Sequence, residues 1–366
     1  WPRRSQYFSV FSKRAITWSS PTSFTGEPIV EEVTPCRVMT LDPLTNSVAY
    51  QVSDSEFALV NAKGMEIVSN GSKGILFEQD QVEPLDVPLL QKEFAKQQKK
   101  RMESWWSEVL DTVNMPNEGS KKLAALLYYI SPWLNHWRGI QLPVEILCGE
   151  AGSGKSSLYE LRLHILTGRV HLRNVSGDIR DWHASITSSG GLHVTDNVQF
   201  TNRDMRQRVS DEICRIVTEP NPHIEMRKLY TSATQLRVPV TTTFAFTAIQ
   251  QPFHNSDLIQ RAAVFELSAL DQSIDSDWVD HQLSNHQGRE TWVAHHLAFI
   301  HKFFKTALEG AWNEPMVEKH RLAHYERCLI IAAKIFGEDP DWVPETLTEQ
   351  TRHTMSESDW ALDGLK

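Results

Sequence analysis

The sequence predicts an α/β protein: a parallel sheet built around a phosphate-binding loop, preceded by a β-rich segment and helices and followed by a helical part. Three observations predict it. A short apolar run at 144–148 breaks into glycines, and a helical pattern opens at about Lys155. Extended and helical patterns then alternate as far as 262–268, the mark of strands joined by crossover helices. From Asp271 onward the pattern is helical, with interruptions at Pro315 and Pro340.

Taken in order, residues 1–87 are rich in strand and turn signals. Segments 29–33, 47–52 and 57–60 are β-prone and are separated by Pro, Asp, Asn and Gly, and Ser69-Asn-Gly-Ser-Lys-Gly74 is a strong turn. Residues 88–137 carry apolar side chains at i, i+3 and i+4, so they are read as helices. The strand at 144–148 follows, then strands at 170–175 and 191–197, a helix over 202–217, extended segments at 223–230 and 234–248, and a last strand at 262–268. The division expected is a β-rich N-terminal domain (1–87), a helical linker or collar (88–140), a core (141–270) and a helical C-terminal domain (271–366).

Composition sets limits. The chain has 366 residues, 40% hydrophobic and 23% charged, with a formal net charge of −9. An acidic surface does not attract a polyanion as a whole, so nucleic-acid binding needs a local basic patch or patches gathered by oligomerisation. No stretch approaches the ~20 consecutive apolar residues of a membrane span. Trp1-Pro-Arg-Arg4 is not followed by an apolar core, so no cleavable signal is expected, and a start without Met is read as a fragment of a longer chain. Cys36, Cys148, Cys214 and Cys328 have no metal-ligand spacing and are read as free thiols of a reducing, cytoplasmic compartment.

Gly149-Glu150-Ala151-Gly152-Ser153-Gly154-Lys155-Ser156 satisfies G-x-x-x-x-G-K-S/T at every position, and Ser157 follows it. Glycines let the backbone curl until successive N–H groups point at phosphate oxygens, and the helix that starts there adds its positive end. Lys155 is placed to reach the β- and γ-phosphates of ATP, and the Ser156 hydroxyl to ligate Mg²⁺.

Such a loop needs an acid on a neighbouring strand to hold the metal, and Asp196 ends the apolar run Leu192-His-Val-Thr195, 41 residues after Lys155. Asn197 stands where many ATPases carry a second acid to polarise the attacking water; an amide can orient water but cannot take its proton, so Asp211 and Glu212 are weak substitutes. Thr247, with Gln250 second, stands at the tip of a β-branched and aromatic strand expected between the loop and acid strands, where a polar group can sense the γ-phosphate. Arg261, four residues after Asp257 and just before the last strand, is placed to act as an arginine finger on a neighbouring subunit.

The order of these elements, the phosphate loop, "HVTDN", "HIEMRKLYTSATQLRVPVTTTFAFTA" and "DLIQRAAVFEL", resembles the superfamily-three helicases, particularly the poxvirus- and phage-type primase-helicase ATPases of the AAA+ class. Arg227, Leu229 and Tyr230 match that family's basic-aromatic strand, and Asp257 and Arg261 its last element. The resemblance covers roughly residues 120–270; Asn197 and Thr247 depart from the family's second acid and sensor Asn. It implies an AAA+-like core and a ring, usually a hexamer, threading single-stranded or forked DNA past pore hairpins. The hairpin here is 223–240, with Arg227, Lys228 and Tyr230 as the nucleic-acid contacts and His223 and Arg237 flanking them.

The function expected is therefore a ring-forming ATP-dependent DNA translocase or replicative helicase of a phage or mobile element. Two other classes stay open: an AAA+ switch or loader with little turnover, which Asn197 and the acidic charge favour, and a nucleotide-binding defence or signalling protein. The basic run Lys99-Lys-Arg101, the trio His295, His296 and His301, and the twelve tryptophans are read as a solvated helix face, ordinary packing histidines and core packing.

Overall fold

A computed structural model describes residues 35–42, 44–131, 133–134, 137, 140–175, 178–200, 202–219, 222–227, 235–270, 274–315 and 321–363. The strand expected at 29–33 lies outside them. The first described unit is a meander of β1 (Met39–Asp42), β2 (Ser47–Gln51), β3 (Glu56–Asn61) and β4 (Gly64–Ser69), each antiparallel to the next. The alternation of side chains explains why its middle strands are buried on both faces. Val48, Tyr50, Ala58 and Val60 face the main core, while Ala49, Phe57 and Leu59 close over Ile75 and Phe77. β3 and β4 turn through Asn61-Ala62-Lys63-Gly64, with the Asn61 side chain accepting the Lys63 N–H at 2.8 Å.

The helices α1 (Val87–Lys99), α2 (Trp105–Leu110) and α3 (Glu118–Ile130) follow, begun by Asp86, Ser104 and Asn117, whose side chains accept backbone N–H groups of the first turn. Then comes the parallel sheet. Its strands are β5 (Val144–Gly149), β6 (Leu192–Thr195), β9 (Thr243–Ala248) and β10 (Ala262–Leu267), in the order β10-β5-β9-β6, all parallel. Between β5 and β6 run α4 (Lys155–Thr167) and α5 (Ile179–Thr187); α6 (Arg203–Thr218) and the antiparallel pair β7 (His223–Arg227) and β8 (Gln235–Pro239) come between β6 and β9. The short α7 (Ser256–Ile259) precedes β10.

This is the parallel sheet with crossover helices that the alternating pattern predicts, and β9 does lie between the loop strand and the acid strand. Both sheet faces are covered: Leu147 and Phe265 join the main core, whereas Val144, Ile146, Phe244 and Phe246 pack with Trp182, Val209 and Ile213 of α5 and α6. Residues 170–175 are not the strand expected. Only Arg173 pairs, as a single bridge to Thr195, and Val170 at the start of the segment is 41% exposed. α5 was not foreseen; Asp178 caps it, and Trp182 and Ile186 are its only fully buried residues.

The C-terminal part is helical: α8 (Trp278–Asn285), α9 (Arg289–Leu308), α10 (Ala323–Phe336) and α11 (Trp342–Asp363). α9 packs along α1 and against β3, so the β meander, the helices on both sides and α4 share one core. Trp106, Trp133, Trp137 and Trp292 are buried in it. Among the described residues no helix is long and apolar enough to cross a membrane, and Cys148, Cys214 and Cys328 are buried and form no disulfide.

Candidate phosphate-binding site

The strand end of β5 and the first turn of α4 build the loop. Gly149 has φ +153°, and a Cβ there would lie 2.3 Å from the Leu267 carbonyl oxygen of β10, so only glycine fits between these strands. Gly152 and Gly154 have φ +78° and +90°, and Gly154 is the residue from which α4 starts. Nothing lies within 4 Å of a Cβ placed on Gly152, which leaves space in front of the loop. Glu150 and Ala151 ride in the exposed bend and Ser153 is buried behind it; Ser157 lies in the first turn of α4 beside Ser156.

Lys155 folds back into this loop. Its Nζ donates to the carbonyl oxygens of Gly149 at 2.7 Å and Glu150 at 2.6 Å and to Ser153 Oγ at 3.2 Å. Burial lowers its pKa from the usual lysine value, and the charge of Asp196 opposes that. The ammonium is thus held by neutral oxygens of the loop itself.

Asp196 is the meeting point. Its Oδ1 accepts from Ser156 Oγ at 2.8 Å and from Thr247 Oγ1 at 2.5 Å. Thr247 Oγ1 in turn accepts the backbone N–H of Asn197 at 2.8 Å, and the Asp196 N–H donates to the Arg173 carbonyl at 2.7 Å. Three strand or helix ends, those of α4, β6 and β9, are therefore tied to one carboxylate oxygen. The donor set, a serine hydroxyl and an aspartate beside a glycine-rich anion cradle, fits Mg²⁺ and a nucleotide polyphosphate.

No family model and no curated protein matches the sequence. Among solved structures, three apo structures of the NrS-1 C-terminal region are similar. The A form of that region matches at 10% identity with a TM-score of 0.38, over 66% of this chain and 64% of that one. Two structures of NrS-1 residues 305–718 match at 12% identity, one with a TM-score of 0.36 over 80% of this chain and 88% of that one, the other, also an A form, with 0.37 over 86% and 91%.

The remaining sequence-predicted residues lie in different settings. Asn197 is exposed directly after Asp196, with φ +49°, a left-handed conformation that Asn and Gly tolerate best. Gln250 is exposed beyond the end of β9, and Asp211 accepts from Gln207 at 2.7 Å on the open face of α6. Glu212 is engaged: burial acts to raise its pKa, but hydrogen bonds from His183 and Arg215 outweigh it and hold the carboxyl down to about 2. Arg261 is 9% exposed and tied within its own chain, its Nη1 donating to the Asp257 carbonyl at 2.6 Å and pairing with the Asp257 carboxylate. Arg321 reaches the same carboxylate at 2.9 Å. β7 and β8 form the expected hairpin and place Arg227 opposite Gln235; Arg237 is exposed and pairs with Glu225 at 3.3 Å. Lys228, Leu229 and Tyr230, and the turn at 231–234, lie outside the described residues.

One acid escaped the sequence reading. Glu160 stands one helical turn after Ser156, and burial together with the nearby Asp196 charge raises its pKa. Its signal is the i+4 spacing from the motif serine, which puts both on the same side of α4.

Proposed function

We propose that the chain is a nucleoside triphosphatase of the AAA+ type that works as a ring-forming, ATP-dependent DNA translocase, a replicative helicase of a phage or mobile element. The observation that carries the nucleotide part is the convergence of Ser156, Asp196 and Thr247 on one oxygen beside the glycine cradle. In this reading the N–H groups of 149–154 and the Lys155 ammonium bind the phosphates, and Ser156 and Asp196 hold Mg²⁺. The metal supplies charge neutralisation of the phosphate oxygens when bound. Thr247 positions Asp196 and reads the site from the central strand, and Asn197 orients water.

The motor part rests on the hairpin of β7 and β8, which carries Arg227 and Arg237 and leads to Lys228 and Tyr230. Residues 141–270 serve as the ATPase core, 1–87 and 88–140 as recognition and collar segments, and 271–366 as subunit contacts, in a cytoplasmic setting that keeps the cysteines reduced. Arg261 acts across a subunit boundary in this scheme, and must first leave Asp257, with Arg321 remaining to hold that carboxylate.

A second reading, an ATP-bound switch with slow turnover, is favoured by one observation: the residue after Asp196 is an exposed amide, and Glu212, a candidate base, is committed to Arg215 and His183. ATP turnover with and without single-stranded DNA, beside Lys155→Ala, separates the two. DNA-stimulated turnover lost in the variant supports the motor. Tight Mg²⁺-dependent ATP binding with negligible turnover sinks it in favour of the switch.

A further inference from the structure

A cavity of about 280 Å³ lies where the C-terminal end of α1 meets the α8–α9 turn, and it shares no lining residue with the phosphate loop. We propose that it is a second ligand site that takes one nucleotide unit, a phosphate joined to a group bearing hydrogen-bond donors. Its size is at the lower end of small-ligand pockets, about 300 Å³, too small for a folded polymer segment and suited to a single nucleotide.

One wall is cationic. Lys96, Lys100 and Arg101 line it and are exposed, against one lining carboxylate, Glu103. Lys96 is shared with Glu93, which it meets at 3.0 Å. Lys302 adds a further positive charge by donating its ammonium to the Lys100 carbonyl. The Arg101 guanidinium lies against Gly337, so that a Cβ there would sit 2.4 Å from Nη2. This is the chemistry that recognises a phosphate on an otherwise acidic protein.

The other wall holds a buried acceptor with no partner. His286 and His295 both stack on the Trp105 indole, at centroid distances of 4.0 and 3.8 Å, and all three line the cavity. His295 is 1% exposed. Its Nε2 meets the Glu103 carbonyl at 3.1 Å and the Tyr129 hydroxyl oxygen at 3.0 Å, and since a carbonyl only accepts, Nε2 carries the proton and the hydroxyl oxygen shares it. Nδ1 is then a bare lone pair, and it is buried without a hydrogen-bond partner. Burial holds the pKa of the ring well below the ordinary histidine value. A buried acceptor left unpaired is costly, so a hydroxyl or amino donor on the ligand gains from meeting it. Phosphate at the lysine wall and a sugar hydroxyl or base amine at the histidine wall satisfy both halves together.

The test uses the full chain and two probes: AMP for a free nucleotide, and an oligothymidylate of about eight nucleotides for a strand. Hydrogen exchange is read over 96–105 and 285–291, with titrations by tryptophan fluorescence at low and high salt. The comparison variants are Lys96→Glu/Lys100→Glu, both at exposed positions, His295→Phe, which keeps the stacked ring but removes both ring nitrogens, and Lys155→Ala, which disables the other site. Protection by either probe that weakens at least tenfold in the double variant and in His295→Phe, yet persists in Lys155→Ala, supports the site; the probe that protects identifies the source. Absence of protection by both probes, protection that survives the charge reversal, or protection lost in Lys155→Ala overturns it. Failure of the ATPase reading leaves these outcomes unchanged, because none of them uses the phosphate loop.

Discussion

Thr247 donates its hydroxyl proton to Asp196 Oδ1 at 2.5 Å while the same hydroxyl oxygen receives the Asn197 N–H at 2.8 Å. One side chain on the central strand thus fixes both residues at the tip of the acid strand. Because Ser156 donates to the same oxygen, the carboxylate is aimed at the loop before any ligand arrives, and such preorganisation is what a metal site requires.

Thr247→Val, nearly the same shape, removes the donor to Asp196 and leaves the Asn197 N–H without its acceptor. Denaturant unfolding should show a loss of about 1–3 kcal/mol. Mg²⁺-dependent ATP turnover should fall at least tenfold, with Thr247→Ser close to the parent in both measurements. A valine variant with full turnover would show that Asp196 needs no such support.

The backbone at Asn197 makes a separate prediction. At φ +49° an alanine is disfavoured by roughly 1–2 kcal/mol, whereas glycine adopts the conformation freely. Stability should therefore fall in the order Asn or Gly above Ala. If the alanine variant is as stable as the parent, the left-handed turn does not persist in solution. The same geometry gives a reason for asparagine here: it accepts this turn and still offers a polar group beside Asp196.

The glycine-rich loop was legible because its pattern is local: glycines, lysine and serine at fixed spacing between a strand and a helix. Asp196 and Thr247 followed, since a strand's end can be read from where its apolar run stops. What stayed hidden depends on contacts distant in sequence. Arg173 reads as part of a strand, yet the segment touches the sheet at that one residue. Glu93 and Lys96 are ordinary helix residues until α9 packs on α1. His295 looks like a packing histidine, as it partly is; its unpartnered nitrogen emerges only when Trp105, Tyr129 and Glu103, over 160 residues away in sequence, surround it. Arg261 shows the reverse case, a residue whose partner Asp257 was visible at i−4 and holds it in this chain.

Glu145 and Arg162 form an ion pair that is buried completely, and it clamps the two elements that flank the loop, β5 and α4. Ser131 donates to Glu145 at 2.7 Å and accepts from Arg162 at 2.8 Å, and the guanidinium lies 3.9 Å from the centre of the Tyr128 ring. Removing one member leaves a bare charge in the core, so Arg162→Leu should cost about 3–5 kcal/mol. Arg162→Leu/Glu145→Leu should recover a good part of that, because no charge is left stranded. A double variant as unstable as the sum of the singles would show that the pair is not the unit of stability.

His193 sets an acid limit on the fold. Ser189 gives its hydroxyl proton to the Ser185 carbonyl at 2.9 Å, so the contact between Ser189 and His193 Nδ1 at 2.9 Å is a donation by Nδ1–H. Nε2 is then an unpartnered lone pair, and protonating it places an uncompensated charge in a site that is 1% exposed. Burial, aided by the Arg173 charge, pushes the imidazole from its ordinary 6.5 down to about 3. The unfolded chain takes up this proton below pH 6.5 and the folded chain does not until about pH 3, so the unfolded state binds more protons and stability falls as pH falls through that window. At pH 5 the loss from this one group is about 2 kcal/mol relative to pH 7. His193→Asn offers an N–H to Ser189 without a titrating ring, so its drop between pH 7 and pH 5 should be smaller than the parent's by about that amount. Equal drops would mean that His193 is protonated in the folded chain at pH 5 or that its site opens to water.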